Sequence, residues 1–461
     1  MSTNDTEDFR RQPPAPLPVR PLNLPEPAET QLANGLRVVF VEQRRLPLVS
    51  FRLAFRSGDS SDPADLPGLT DVMTDMLVEG TESRGSRQIA EEVARYGATL
   101  TAGASSDYLT VAASSLAAYA DEVLELLADV TLRPVFPEGE LALAKANAQQ
   151  NLIAQRAQPS FLAGEAVARV LFGQHPYATV ASTPESIEAL SRDRLVRHHR
   201  QLLVPNDAVL LVAGDVDRGH VVGQVERLFG GWARGEVVAR EFPAPPERDE
   251  RVAYLVARPG SAQTNILVAN KAIRRTDPDY FPVLVMHTIL GGNASARLFM
   301  NLREEKGYTY GAYTQLDARR LAGSFRATTE VRNQVTGVSL KEIFYELGRI
   351  RDEDVSDEEL SDAKSYLTGV FPIRLETQEG LIDQLVQIRV HDLAPDYLET
   401  YRDNVQRVTK EDVRRAARRT VTPERAAVVV VGDGAQIREQ VAPHVSRVEE
   451  FDGARGGAAG A

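Results

Sequence analysis

The sequence predicts an α+β protein made of two homologous domains that arose by internal duplication. Residues 203–215 (LVPNDAVLLVAGD) match residues 421–433 (VTPERAAVVVVGD) at an offset of 218. Residues 136–145 (FPEGELALAK) match residues 355–364 (VSDEELSDAK) at an offset of 219. Each half combines apolar strands with amphipathic helices, so we expect each domain to be a mainly antiparallel sheet packed against helices.

The composition of three segments predicts the domain boundaries. Residues 1–27 are rich in proline and polar residues, and the chain ends on GARGGAAGA, so we expect tails over 1–27 and 441–461. Residues 236–250 (EVVAREFPAPPERDE) combine three prolines with seven charges, which indicates an interdomain linker. The two domains are therefore predicted to span 28–235 and 251–440.

The overall composition excludes several classes of function. The net charge of −12 argues against nucleic-acid binding, which requires a basic surface. The chain has no apolar stretch long enough for a membrane span, and its first residues lack the apolar core of a secretory signal, so we expect a cytoplasmic protein with no membrane partner. Because the sequence contains no cysteine, any metal would have to be bound by His, Asp or Glu.

The first domain is predicted to open with a pair of strands. The segment LRVVFV follows the turn sequence Asn34-Gly35, and LVSFRLAF comes next. Residues 66–81 (LPGLTDVMTDMLVEGT) then have helical periodicity. Their apolar stripe consists of Leu69, Val72, Met73, Met76 and Leu77. Asp71, Thr74 and Asp75 are predicted to lie on the other face of this helix.

This helix resembles the zinc-binding helix of the pitrilysin-type (inverzincin, M16) metallopeptidases. The pairs Gly68-Leu69, Met76-Leu77 and Gly80-Thr81 match the residues that flank the inverted His-x-x-Glu-His motif of that family. Asp71 and Asp75 occupy the two histidine positions, and Thr74 occupies the position of the general-base glutamate. Thr cannot accept a proton from water near neutral pH. The resemblance therefore implies a degenerate zinc site, with no metal and no cofactor in this chain.

Other positions of the family's active site are altered as well. A third zinc ligand, a glutamate, is expected on the helix near residues 145–154, where the sequence offers the amides Gln149, Gln150 and Asn151. The strand YGATLTAGASSDY resembles one that carries an Asn and a Thr near the substrate, but Thr101 and Ala104 occupy those positions.

Asp71 and Asp75 could instead bind Ca²⁺ or Mg²⁺. Such ions require six or more oxygen ligands, and no donor-rich loop lies nearby in the sequence. A solvated acidic helix face is the favoured interpretation.

The second half contains a segment in which family residues are retained. Residues 290–314 (LGGNASARLFMNLREEKGYTYGAYT) are predicted to form a helix that ends at Gly307, followed by a strand. The segment resembles the family's substrate-binding element, which implies that Arg303 engages substrate carbonyl groups and that the Tyr310 hydroxyl stabilises the tetrahedral oxyanion. Taken singly, Arg303 could pair with Glu304 at a helix end, and Tyr310 could be a half-buried strand aromatic.

The resemblance covers residues 28–440 and implies a function in a pair of subunits. We expect this chain to be the non-zinc subunit of a heterodimeric M16-type peptidase that cleaves unfolded peptides, with zinc bound by a paralogous partner. Alternatives are a non-catalytic scaffold of the same fold and an independent hydrolase that uses Asp71 and Asp75. The sequence leaves open whether the chain pairs with a paralogue or with a second copy of itself.

Overall fold

The computed structural model describes residue 22 and residues 24–237 and 240–451. The strands of the first half are β1 (Ala28–Gln31), β2 (Arg37–Glu42), β3 (Leu48–Phe55), β4 (Thr99–Ala104), β5 (Leu109–Leu116) and β6 (Ala208–Gly214). Its helices are α1 (Leu69–Asp75), α2 (Ser86–Arg95), α3 (Ala120–Leu132), α4 (Glu138–Arg156), α5 (Pro159–Phe172), α6 (Pro184–Ala189), α7 (Arg192–Leu202) and α8 (Arg218–Phe229).

The second half repeats this order of elements. Its strands are β7 (Val252–Ala257), β8 (Gln263–Ala272), β9 (Thr309–Ala318), β10 (Gly323–Arg332), β11 (Ala427–Gly432) and β12 (Arg447–Glu450). Its helices are α9 (Tyr280–Gly291), α10 (Arg297–Phe299), α11 (Thr336–Asp352), α12 (Asp357–Arg374), α13 (Gln378–Val390), α14 (Tyr397–Arg407), α15 (Lys410–Thr420) and α16 (Gly434–Val441). A π-helical segment, Met300–Glu305, continues directly from α10.

Each half contains one six-stranded sheet, and the two sheets share a topology over five of their six strands. The strand orders are β1-β2-β6-β3-β5-β4 and β12-β7-β11-β8-β10-β9. The pairs β2–β6 and β7–β11 are parallel. From β6 to the edge strand β4, and from β11 to the edge strand β9, each strand is antiparallel to the next. The central strands β6 and β11 are buried along their whole length, as the apolar runs AVLLVAG and AVVVVG predict. The predicted duplicated α+β fold is confirmed.

The two halves differ at one edge of the sheet, where a prediction was wrong. In the first half the sixth strand, β1, precedes β2 and is antiparallel to it. In the second half the sixth strand, β12, comes at the end of the chain and is parallel to β7. Residues 447–450 of the predicted tail 441–461 are therefore part of the sheet. Their short charged sequence, RVEE, becomes a strand because the edge of β7 supplies its hydrogen-bond partners.

Two further expectations are modified by the structure. The strands β2 and β3 do not pair with each other, because β6 lies between them. Residues 236–237 and 240–250 contain no helix or strand, as expected for a linker. This segment nevertheless contacts the rest of the protein. The centres of the Phe242 and His175 rings lie 5.8 Å apart, and Arg248 Nε donates to the Arg425 carbonyl oxygen. The predicted tail over 1–27 falls almost entirely outside the described residues.

The two halves exchange one helix each. The apolar residues of α5, in the first half, pack on β8 and β11 of the second sheet, where Val167 and Leu171 join a core with Val429 and Val431. Its repeat equivalent α13 packs on β3 and β6 of the first sheet. Each sheet is thus covered in part by a helix from the other half, which couples the two halves more tightly than a linker would.

In the described part of the chain, no helix is long and apolar enough to span a membrane.

Candidate functional site

The helix that resembles the zinc-binding helix is α1, and it is shorter than predicted. It begins at Leu69 because Gly68 has a left-handed backbone (φ 88°), and a Cβ atom at Gly68 would lie 1.8 Å from the Ser182 hydroxyl. Asp62 accepts hydrogen bonds from the backbone N–H groups of Gly68 and Thr70, at 2.7 and 2.9 Å. Residues 76–78 continue as one 3₁₀ turn. The predicted apolar stripe is buried throughout.

The three residues at the motif positions separate onto two sides of α1. Asp71 and Asp75 are exposed and line the same groove. Thr74 is 1% exposed, and its hydroxyl donates to the Asp71 carbonyl oxygen at 2.8 Å. Contrary to the prediction of a shared face, Thr74 points into the core because its small side chain satisfies its hydroxyl within its own helix. It contributes no group to the groove.

The groove beside Asp71 and Asp75 has a volume of about 430 Å³ and lies between α1 and α4. Of the three predicted amides, only Asn151 lines it. Asn147 and Gln155 also line it, and neither is among the site residues predicted from the sequence. A helical spacing of four residues (147, 151, 155) identifies these three as one face of α4, whereas Gln149 and Gln150 fall on other faces.

The groove is acidic, and its carboxyl groups are perturbed. The Asp71 side chain is exposed at the groove, yet partial burial of its carboxyl group raises the pKa of Asp71 to about 7. The nearby carboxylates of Asp59, Asp62 and Asp75 add to this rise. Burial also raises the pKa of Asp59, to about 6. The pKa of Asp75 is raised by burial and by the charge of Glu79.

These residues do not fit the zinc ion of the metallopeptidases that the helix resembles. Zinc sites in proteins use three or four side chains of His, Cys, Asp or Glu. Within residues 24–237 and 240–451, no group of three or more such side chains is placed to hold a metal ion. The wall opposite Asp71 and Asp75 offers the amides of Asn147, Asn151 and Gln155, which are poor zinc ligands, and one carboxylate, that of Glu140.

Arg303 lies in the π-helical segment Met300–Glu305. Its side chain is 46% exposed, its guanidinium lies 4.8 Å from the centre of the Phe299 ring, and its Nε lies 3.5 Å from Glu304. The segment ends where Gly307 takes a left-handed backbone (φ 63°), as the sequence predicted. Single π-helical turns inside α-helices occur frequently at functional sites.

Tyr310 lies on β9, the edge strand of the second sheet, at a β-bulge. Ala312 pairs with Thr329 and Thr309 pairs with Val331, so Tyr310 and Gly311 together oppose Glu330 alone. The extra residue reverses the alternation of side chains at this point. Tyr310 is 89% exposed, the largest exposed fraction of the large hydrophobic residues in the described chain.

One row of contacts connects Arg303 to this bulge. The Phe299 ring, which lies under the Arg303 guanidinium, also packs 5.5 Å from the Tyr313 ring. The Tyr313 ring covers Gly311, since a Cβ atom there would lie 2.6 Å from it. Gly311 therefore leaves room for the ring that joins the helix to the strand. These contacts run from Arg303 to Gly311, the residue that follows Tyr310 in the bulge.

The other predicted substrate-facing positions, Thr101 and Ala104, lie on β4, the edge strand of the first sheet. Thr101 is exposed and Ala104 is half-buried. Because β4 and β9 occupy equivalent positions in the two sheets, the altered positions and Tyr310 all lie on the free edge of their sheet.

Comparisons with known proteins identify the family of this chain. Residues 37–185 match the family model of insulinase-type peptidases (peptidase family M16), and residues 189–367 match the model of the peptidase M16 inactive domain. The uncharacterized zinc protease YmxG of Bacillus subtilis is 23% identical over 75% of this chain and 83% of its own length. The non-peptidase homolog YmxG of Helicobacter pylori is 23% identical over 82% of this chain and 87% of its own length.

Two solved structures are similar in fold. The peptidase M16 inactive domain from Pseudomonas fluorescens has a TM-score of 0.83 and 27% identity, and the match covers 88% of this chain and 98% of that one. A protease from Helicobacter pylori has a TM-score of 0.82 at 18% identity, covering 88% and 100%. With both family models matched in sequence and the same architecture in both solved structures, this chain belongs to the peptidase M16 family.

Proposed function

We propose that this chain is the non-zinc subunit of an M16-type heterodimeric metallopeptidase, and that it contributes Arg303 and Tyr310 to an active site completed by a zinc-bearing paralogue. The observation that carries the proposal is the backbone at these two residues. A π-helical turn presents Arg303, and a β-bulge turns Tyr310 outward to 89% exposure. Both irregularities occur preferentially at functional sites.

The chemistry of the two side chains suits this role. The partner would supply the zinc ion, for which the described part of this chain holds no ligand group, and the general-base glutamate, whose position is occupied here by the buried Thr74. The Arg303 guanidinium can donate hydrogen bonds to carbonyl oxygens of an extended peptide. The Tyr310 hydroxyl can donate a hydrogen bond to the oxygen that becomes negative as the scissile carbonyl turns tetrahedral. A donor of this kind contributes roughly 10²–10³-fold to turnover.

The test is co-expression with a zinc-bearing M16 paralogue and measurement of peptide hydrolysis by the purified complex. Tyr310→Phe removes one hydroxyl from an exposed ring and should lower kcat by roughly 10²-fold with assembly unchanged. Arg303→Ala should raise KM as well as lower kcat, because the guanidinium also positions the peptide. Tyr345→Phe, at another exposed tyrosine, is the matched control and should leave the rate unchanged.

The scaffold alternative predicts a different result, and it is supported by the name of the Helicobacter pylori relative, a non-peptidase homolog. A complex in which Tyr310→Phe and Arg303→Ala assemble and hydrolyse peptides at the unmodified rate would establish this chain as an assembly partner only. The cytoplasmic location stays a prediction from the sequence.

A further inference from the structure

A cavity of about 570 Å³ lies between the two halves, beside the exchanged helix α13. One wall comes from the first sheet and includes Ala54 on β3 and Val209 on β6. The facing wall comes from α13 and includes Leu385 and Ile388. Ligand sites have volumes of roughly 300–1,000 Å³ and occur preferentially at domain junctions of this kind. The size and the place of this cavity therefore suit a small-molecule ligand.

The strand register shows that Arg37 projects from the same face of the sheet as the apolar wall. Arg37 on β2 is paired with Val209, and Val209 is paired with Ala54. Directly paired residues of neighbouring strands project from one face of a sheet. Val209 and Ala54 belong to the same buried cluster as Leu385 and Ile388, so this is the face that α13 covers. Arg37 is exposed and lines the cavity on that face.

Arg37 is the one charged residue of the cavity lining that has no partner in the described part of the chain. The other charged side chains of the lining form ion pairs with one another, and these pairs are Arg56–Asp392, Arg56–Asp207 and Arg389–Glu29. No hydrogen bond or ion pair joins the Arg37 side chain to another described residue. The cavity thus combines an apolar wall with one uncompensated positive charge, which favours an anionic group in the ligand.

The lining offers few groups to a ligand that is polar along its whole length. Asn206 is its one uncharged polar side chain, and both ends of this amide are bonded to Gly235. Asn206 Nδ2 donates to the Gly235 carbonyl oxygen at 3.0 Å, and Asn206 Oδ1 accepts from the Gly235 N–H at 2.9 Å. A peptide would bring several N–H and C=O groups, and burial of such groups without partners is costly. A ligand with one anionic group on an apolar body avoids this cost.

We propose that this cavity binds an apolar monocarboxylate, such as a medium-chain fatty acid. The carboxylate accepts hydrogen bonds from the Arg37 guanidinium, whose N–H groups match the two oxygens of such an anion. The hydrocarbon chain lies against Val209, Leu385 and Ile388, where it is removed from water. The site uses neither Arg303 nor Tyr310 and does not depend on the proposed peptidase function.

The experiment is isothermal titration calorimetry of the purified full chain with sodium octanoate. We expect saturable binding of one octanoate per chain. Arg37→Gln should raise Kd about tenfold or more, because it removes the charged donor to the carboxylate. The substitution breaks no contact of the folded chain, since the Arg37 side chain is exposed and unpaired among the described residues.

Three further compounds test which parts of the ligand are recognised. Octan-1-ol keeps the chain but lacks the charge, and butyrate keeps the charge but lacks most of the chain. Each should bind about tenfold more weakly than octanoate, or weaker still. The tripeptide acetyl-Leu-Leu-Leu has a free carboxylate and apolar side chains, but it should also bind more weakly because its peptide groups find no partners in the lining.

The matched control is Arg95→Gln, at an exposed arginine of α2 that does not line the cavity. It changes the net charge equally and should leave Kd for octanoate unchanged. The proposal is overturned if octanoate shows no saturable binding, if Arg37→Gln leaves Kd unchanged, or if Arg95→Gln weakens binding as much. It is also overturned if octan-1-ol, butyrate or the tripeptide binds as tightly as octanoate.

Discussion

Tyr310 and Ala312 lie two residues apart on one strand, yet their side chains point to opposite faces of the sheet. Ala312 is 1% exposed against α9, whereas Tyr310 is 89% exposed. In a regular strand, residues i and i+2 share a face. The bulge at Tyr310 and Gly311 separates them and converts a position that alternation assigns to the core into one that faces solvent.

This arrangement predicts the chemical reactivity of the tyrosines. Tyr310 should be nitrated by tetranitromethane faster than any other exposed tyrosine, because access to the ring limits this reaction. Tyr345, at 55% exposure, is the internal reference. Peptide mapping by mass spectrometry during the reaction gives both rates. Nitration of Tyr310 no faster than that of Tyr345 would contradict the exposed position of the Tyr310 ring.

The groove of the first half predicts how a zinc site could be restored. Asp71, Asp75 and Asn151 line one cavity, and Asn151 lies at the centre of the face that α4 presents to it. The unmodified chain should contain no stoichiometric zinc. Asp71→His, Asp75→His and Asn151→Glu together should bind about one zinc ion per chain, because two imidazoles and one carboxylate form a usual ligand set. Metal analysis after dialysis gives the stoichiometry.

The control for the zinc variant changes a neighbouring amide instead. Asp71→His and Asp75→His with Gln150→Glu carries the same residues, but Gln150 does not line the groove. It should bind zinc much more weakly. Equal zinc content in the two triple variants would show that the new metal is not held between α1 and α4.

The repeated architecture could be predicted from the sequence, because buried central strands and capped helices leave local patterns. The runs 208–214 and 427–432 are apolar throughout, and each occupies the same position in its sheet. The exchange of α5 and α13 between the halves could not be predicted. The apolar residues of α5 require a sheet to cover, but nothing in their spacing indicates which of the two sheets it is.

The family resemblance predicts which residues form the candidate site, but it does not predict their geometry. The pattern identifies Thr74 as the position of the missing base, but only the structure shows that its hydroxyl bonds within the helix. Bulges arise from the pairing of two strands that are distant in sequence, so TYGAYT alone suggests a regular strand. Gly311 is the one local indication of the bulge.

The raised pKa of Asp71 predicts how stability varies with pH. Because the pKa in the folded state, about 7, exceeds the ordinary value of 3.8, the folded chain retains a proton that the unfolded chain releases, so stability falls as pH rises from about 4 to 7. Asp71→Asn removes this effect. Its Tm should match that of the unmodified chain at pH 4 and exceed it at pH 8.

Asp129 provides a control of opposite sign for this experiment. It is fully buried, and although burial alone would raise the pKa of Asp129, hydrogen bonds from Thr81, Arg133 and Arg84 lower it. Its stabilisation is present above the ordinary pKa of 3.8 and is lost only as pH falls below that value, so Asp129→Asn should lower Tm at pH 8 more than at pH 2.5. Thermal scans at pH 2.5, 4 and 8 test the two variants together. Identical pH profiles for Asp71→Asn and the unmodified chain would contradict the raised pKa.

Tyr177, which is 1% exposed, is one of the residues that join the two halves. Its hydroxyl donates to Asp107 Oδ1, in the loop between β4 and β5, and accepts from the Leu321 N–H at 3.3 Å, in the loop between β9 and β10. Asp107 Oδ2 accepts from the Arg320 N–H at 2.8 Å. The Arg319 guanidinium lies 4.8 Å from the centre of the Tyr177 ring.

Tyr177→Phe should therefore destabilise both halves together. The substitution keeps the buried ring but leaves Asp107 Oδ1 without its donor, which costs about 1–3 kcal/mol in the free energy of unfolding. Because each sheet is covered by a helix from the other half, we expect one cooperative transition that shifts as a whole. Urea denaturation followed by fluorescence and by far-ultraviolet circular dichroism measures this, with Tyr345→Phe as the surface control, expected within about 0.5 kcal/mol of the unmodified chain. Two separate transitions, of which only one moves, would show that the exchanged helices do not couple the halves.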